Sequence, residues 1–127
     1  MIVGIGVDLC SISRVNQILE REGMEGPFFR RTFTPAEQKE ALAHSNPAAF
    51  FAARFAVKEA VFKAVAPHTS KKPELRKIES LHRNDGSPYV HVDDMLALCL
   101  GDAGISRLHL SVTTEADFAQ AFVIAEG

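Results

Sequence analysis

A chain of 127 residues, 46% apolar and 24% charged with a formal net charge of −2, has the size and balance of a single domain, residues 1–127, that builds its core without staples. The slight acidity excludes a generic nucleic-acid binder, which needs a basic surface. No stretch is apolar for the length of a membrane span, no leader is expected at the N-terminus, and Cys10 and Cys99 lack metal-type spacing, so a cytoplasmic protein with two reduced packing cysteines is expected.

Ile2–Leu9 alternates with small residues and predicts a strand. Gly4 and Gly6 leave one face of it open to the close approach of backbone or ligand. Asp8, at the strand's end, reads as a turn or capping aspartate, or as a metal ligand on a rigid scaffold. Ser11 or Ser13 caps a helix with the stripe Ile12, Val15, Ile18 and Leu19. Its other face, with Arg14, Asn16, Gln17 and Arg21, reads from spacing alone as solvated. The helix ends near Gly23. Phe28, Phe29 and Phe33 then anchor a short connector that carries Arg30 and Arg31. Thr34-Pro35-Ala36-Glu37 is a capping box, which makes Glu37 a cap rather than a catalyst.

Asn46-Pro47 opens the central helix. Its stretch Phe50–Pro67 is apolar in nearly every direction, so it is expected to be buried, yet it holds Arg54, Lys58, Glu59 and Lys63. Buried charges need partners or ligands. Glu59 and Lys63 have the favourable order for an i,i+4 ion pair, with the other cations reaching solvent. Equally, Arg54 and Lys58 are like charges four apart, and beside Glu59 they suit an anion and a metal ion together. The helix alone does not decide. Beyond it, Pro67–Lys77 reads as an exposed polar loop, and Lys77–Arg83 with Pro88–Val92 as a hairpin about Asn84-Asp85-Gly86-Ser87. Asp93 caps a helix that stops before Gly101 and Gly104, and Leu108–Thr113 with Phe118–Ala125 forms a second hairpin. The order is strand, three helices, hairpin, helix, hairpin: an α+β domain.

Gly4-Ile5-Gly6-Val7-Asp8 with Arg14-Val15, followed by Arg54-Phe55-Ala56-Val57-Lys58-Glu59-Ala60 and Lys63, resembles holo-(acyl carrier protein) synthase, the small trimeric class of 4′-phosphopantetheinyl transferases. Phe29–Glu37, Asp85-Gly86-Ser87-Pro88, His109-Leu110-Ser111 and Val123–Glu126 extend the resemblance along the whole chain. It implies transfer of the phosphopantetheine arm of coenzyme A to a serine of an acyl carrier protein, with release of adenosine 3′,5′-bisphosphate. By matching positions, Asp8, Glu59 and Lys63 form the catalytic centre, with Asp8 and Glu59 holding Mg²⁺ against the pyrophosphate of coenzyme A. Arg54, Lys58 and Lys63 match positions that contact its phosphates. Arg14, with Arg21 on the same helix, matches the face that docks the acidic carrier protein. The resemblance also implies a homotrimer with sites between subunits. It assigns no general base.

Two departures stand out. Ala66-Pro67-His68 replaces the family's Gly-Thr-Gly turn, and proline removes an amide donor there. Ser111-Val112-Thr113-Thr114 carries threonine where histidine is frequent. A cyclodiphosphate synthase of isoprenoid synthesis shares the opening Gly-x-Gly-x-Asp strand but needs histidine two places after the aspartate, where this chain has Cys10. The remaining alternative is a homologue that binds coenzyme A or carrier protein without catalysis. Retention of both Asp8 and Glu59 weighs against it.

Overall fold

The structure, a computed structural model, describes residues 1–127. In chain order its elements are β1 (Ile2–Ser11), α1 (Ile12–Glu22), α2 (Pro27–Thr32), α3 (Pro35–Leu42), α4 (Pro47–Val65), β2 (Glu79–His82), β3 (Pro88–His91), α5 (Asp94–Ala103), β4 (Arg107–Glu115) and β5 (Phe118–Glu126). Single 3-10 turns fill Ala66–His68 and Leu75–Lys77.

The connector at Phe28–Phe33 is itself helical, which corrects the expected count before the first hairpin to four helices. Pro27 stands in the first turn of α2, and the Phe33 amide donates to the Phe29 carbonyl at 2.9 Å. Phe29 and Phe33 are fully buried and pack on Phe51 of α4 with ring centroids 4.8 and 4.7 Å away. Burying those rings holds a six-residue helix too short to persist alone. The other caps follow the sequence: Ser11 accepts from the Arg14 amide, Thr34 and Glu37 form a reciprocal box, and Asp93 accepts from the Leu96 amide.

β1, β5 and β4 form an antiparallel sheet in that order, and β2 and β3 a separate hairpin. The inner face of β5 is Ala119, Ala121, Val123 and Ala125, all buried, so α4 lies close across the sheet. Gly4 and Gly6 bring β1 closer still. A Cβ on Gly4 would stand 2.1 Å from the Ala64 carbonyl oxygen, and one on Gly6 1.8 Å from that of Ala60. The approach foreseen at these glycines is therefore that of helix backbone. Two strand residues advance about 6.8 Å and four helix residues about 6 Å, so the pairs Gly4–Ala64 and Gly6–Ala60 stay in step. One further step along that strand face reaches Asp8.

The opposite face of the sheet is uncovered, and over β1 and much of β5 it is apolar. Ile5, Val7 and Leu9 of β1 and Phe118 and Phe122 of β5 are all exposed, with Val7 paired across the sheet to Phe122. No helix is long and apolar enough to cross a membrane.

Candidate active site

A pocket of about 310 Å³ opens where β1, α1, α2 and α4 converge, and both Asp8 and Glu59 line it. Cys10, Arg14, Ile18, Phe28 and Phe55 complete most of its wall. Glu59 lies one helical turn beyond Phe55, so the same face of α4 supplies apolar wall and acid. The two carboxylates sense each other. Burial pushes the Glu59 carboxyl above the usual range, Asp8 adds to the shift, and Lys63 opposes it.

Lys63 does not take the i,i+4 pairing with Glu59. Its ammonium stands 3.1 Å from Asp8 Oδ1 and donates to the Val7 carbonyl at 3.1 Å. Half-exposed on a flexible stem, it is free to leave that position. Apart from the bond from Lys63, the protein gives the two carboxylates no hydrogen-bond donor. Two acids with unfilled lone pairs, one of them with a cation already beside it, fit a divalent ion. No cluster of three or more His, Cys, Asp or Glu accompanies them. That donor set matches magnesium, which keeps water and substrate phosphate in most positions, better than an all-protein cage. The Cys10 thiol shares the pocket, but burial, reinforced by Asp8, pushes its pKa to about 11, so it stays protonated and inert.

Arg54 and Lys58 occupy a different side of α4, about 100° around from Phe55 and Glu59. Lys58 is fully buried. It is paired with the equally buried Glu37 at 2.8 Å and donates to the carbonyls of Ile78 at 2.8 Å and Leu75 at 3.1 Å. Three acceptors use all three ammonium protons. This corrects the expected phosphate contact of Lys58: the side chain ties α3 to the segment that enters β2 and has no donor left for a ligand. Burial pulls its pKa down, and Glu37 holds it up. The capping box made Glu37 legible as a cap, but its pairing with Lys58 crosses elements and has no local sequence mark.

Arg54 is only 3% exposed, yet it lines a second pocket of about 330 Å³ together with His44, Phe50, His82, Gly86 and Thr114. It donates to Ser80 Oγ at 3.1 Å and Glu40 Oε1 at 3.3 Å, and it bonds the His82 ring. Its Nε is buried without an acceptor. An anion-facing role for Arg54 is thus compatible with its setting. Sequence reading passed over Glu40, His82 and Ser80, since none sits in a motif. Arg14 is on the exposed face of α1 at the mouth of the first pocket, and Arg21, also exposed, bonds only its neighbour Glu22.

The family model of the 4′-phosphopantetheinyl transferase superfamily matches residues 4–123. The holo-[acyl-carrier-protein] synthase of Nitrosomonas europaea is 38% identical over 126 residues, covering 99% of both chains. Among solved structures, the holo-[acyl-carrier-protein] synthase of Neisseria meningitidis superposes with a TM-score of 0.86 at 34% identity over 100% of both chains. A holo-(acyl-carrier-protein) synthase of Bacillus anthracis in complex with CoA (3′,5′-ADP) superposes at 0.77 with 30% identity, covering 99% of this chain and 97% of that one.

Proposed function

Because this chain belongs to the 4′-phosphopantetheinyl transferase superfamily, we propose that it moves the 4′-phosphopantetheine group of coenzyme A onto a serine of apo acyl carrier protein and releases adenosine 3′,5′-bisphosphate. Residues 1–127 act as one transferase domain, in the cytoplasm. The observation that carries this reading is that Asp8 and Glu59, 51 positions apart in the sequence, line one pocket with Lys63 against Asp8.

Asp8 and Glu59 would hold Mg²⁺, which when bound neutralises charge on the pyrophosphate as the bridging bond breaks. The chain's own residues do the rest. Lys63 leaves Asp8 Oδ1 for the pyrophosphate and supplies a point charge there. Arg54 reaches a phosphate of coenzyme A from the neighbouring pocket. Phe28 and Phe55 give the acidic pocket an apolar wall that lowers the local dielectric and strengthens each charge–charge contact. Arg14, at the pocket mouth, and Arg21, one helical stretch further, meet the acidic carrier protein and orient it. The exposed apolar face of Ile5, Val7, Leu9, Phe118 and Phe122 supports assembly as a homotrimer, since a patch of that kind is rare on a monomer.

Purified apo carrier protein, incubated with this protein, coenzyme A and Mg²⁺, is expected to gain the mass of one phosphopantetheine group. Asp8→Ala and Glu59→Ala are expected to abolish the gain while the fold persists. Turnover that survives Glu59→Ala, or binding of both substrates without any mass gain by the parent, would refute the proposal.

A further inference from the structure

The pocket beside Arg54 contains a small cluster of ionisable groups that lies apart from Asp8, Glu59 and Lys63. Arg54 from α4, His44 from the turn after α3 and His82 from the end of β2 line it, and Glu40 from α3 pairs with Arg54 beside them. Ser80 completes the polar contacts, and the Phe50 ring lies under the guanidinium at 4.7 Å. Both protons of Arg54 Nη2 are engaged, one by Glu40 Oε1 and one by His82 Nδ1. An arginine only donates, so His82 Nδ1 must accept, and the ring is neutral with its proton on Nε2. Glu40 Oε1 also stands 3.7 Å from that same ring nitrogen. The three side chains therefore have two self-consistent arrangements. With His82 neutral, it restrains Arg54. With His82 protonated, Nδ1 becomes a donor, turns to Glu40, and can no longer accept from the guanidinium.

We infer that His82 is a positioning residue for Arg54, and that with Glu40 it couples binding of an anionic substrate in this pocket to uptake of one proton. The inference rests on the reading that Arg54 meets a phosphate of coenzyme A. An incoming phosphate takes the Nη2 proton that neutral His82 held. Protonated His82 frees that proton, occupies the competing carboxylate of Glu40, and adds a second cation to the wall. Anion binding and His82 protonation thus favour one another, as linkage requires. Burial and Arg54 hold the free His82 pKa below the ordinary value, with Glu40 opposing and His44 adding slightly to the depression, so the ligand-free pocket is in the restrained state at neutral pH.

The test is calorimetric titration of coenzyme A into the full chain from about pH 8 to about pH 5.5, in buffers of differing ionisation enthalpy. His82→Asn keeps an acceptor near the Nδ1 position and cannot titrate. The half-exposed site tolerates it. The parent is expected to take up more protons on binding than His82→Asn, and the titration of coenzyme A itself cancels in that difference. Its affinity should rise on acidification by about tenfold more for each unit by which the bound phosphate raises His82. Glu40→Gln, which weakens the internal competitor, should bind coenzyme A more tightly at neutral pH. Identical proton uptake by parent and His82→Asn, with Arg54→Gln still weakening binding, would overturn this inference alone. Unchanged binding by a folded Arg54→Gln would overturn the phosphate reading and this inference with it.

Discussion

Lys58→Met separates a structural lysine from a substrate-binding one. Lys58 and Glu37 are both 0% exposed and 2.8 Å apart. Methionine matches the lysine stem in volume, so packing against Phe33, whose ring lies 5.5 Å from the ammonium, is largely kept. What remains is an unpartnered Glu37 charge and two carbonyls, of Leu75 and Ile78, without their donor. Removing one member of a buried ion pair destabilises by about 3–5 kcal/mol. With an unfolding entropy of about 2.1 cal/mol/K per residue, we predict a fall in Tm of about 15 °C at the middle of that range. Adding Glu37→Gln removes the stranded charge while its amide oxygen keeps the cap on Thr34. The double variant should therefore recover most of the loss, as replacement of a whole buried pair usually does. Differential scanning calorimetry of the four proteins gives the coupling energy directly. Should Lys58→Met melt with the parent while its KM for coenzyme A rises, the ammonium contacts phosphate and the structural assignment is wrong.

Gly6→Ala places a methyl 1.8 Å from the Ala60 carbonyl oxygen, so β1 must lift off α4. We predict destabilisation of about 3 kcal/mol or more and, well below Tm, a loss of turnover beyond the unfolded fraction because Asp8 moves from Glu59. An unchanged Tm would show that strand and helix are not in contact there. For Glu59, burial and Asp8 raise the folded pKa, so its contribution to stability is fully present below the ordinary carboxylate value and is lost as pH rises through the raised one. Metal-free Glu59→Gln should therefore melt at or above the parent at pH 7, with the difference closing on acidification; a parent that outmelts it at pH 7 refutes the sign. Phe122→Lys puts a charge in the middle of the exposed apolar sheet face. Sedimentation should show the proposed trimer in the parent and its loss in the variant, and a parent that is already monomeric would remove that role from the face.

What the sequence disclosed follows the range of the interactions concerned. Ser11, Thr34, Asn46 and Asp93 each cap within three residues, and such bonds are decided by local spacing. The strands announce themselves by alternation, and α4 by its cap and its apolar residues in nearly every direction. α2 did not, because six residues carry under two turns of pattern and its helix exists only through the contact of Phe29 and Phe33 with Phe51. The acids of the site were legible through resemblance. Their meeting was foreshadowed physically by Gly4 and Gly6, whose missing side chains could mean approach of helix or of ligand until the Ala60 and Ala64 carbonyls were seen to fill the space.

The charged residues of α4 show the limit more sharply. Arg54, Lys58, Glu59 and Lys63 look like one constellation in the sequence, but at about 100° per residue they divide between two sides of the helix. One side faces the pocket with Asp8. The other meets α3 and β2, whose positions are fixed by folding and not by spacing within α4, and there Lys58 finds Glu37, 21 places earlier. A charge inside an apolar helix is therefore a demand for a partner whose address the helix does not contain. Asp8 answers Lys63, Glu37 answers Lys58 and Glu40 answers Arg54. Asp8 has the side-chain bond from Lys63 alone, whereas the fully buried Glu37 also accepts from the Thr34 and Ser80 amides, and that difference in satisfaction, rather than the presence of charge, separates the candidate reacting side of α4 from its structural one.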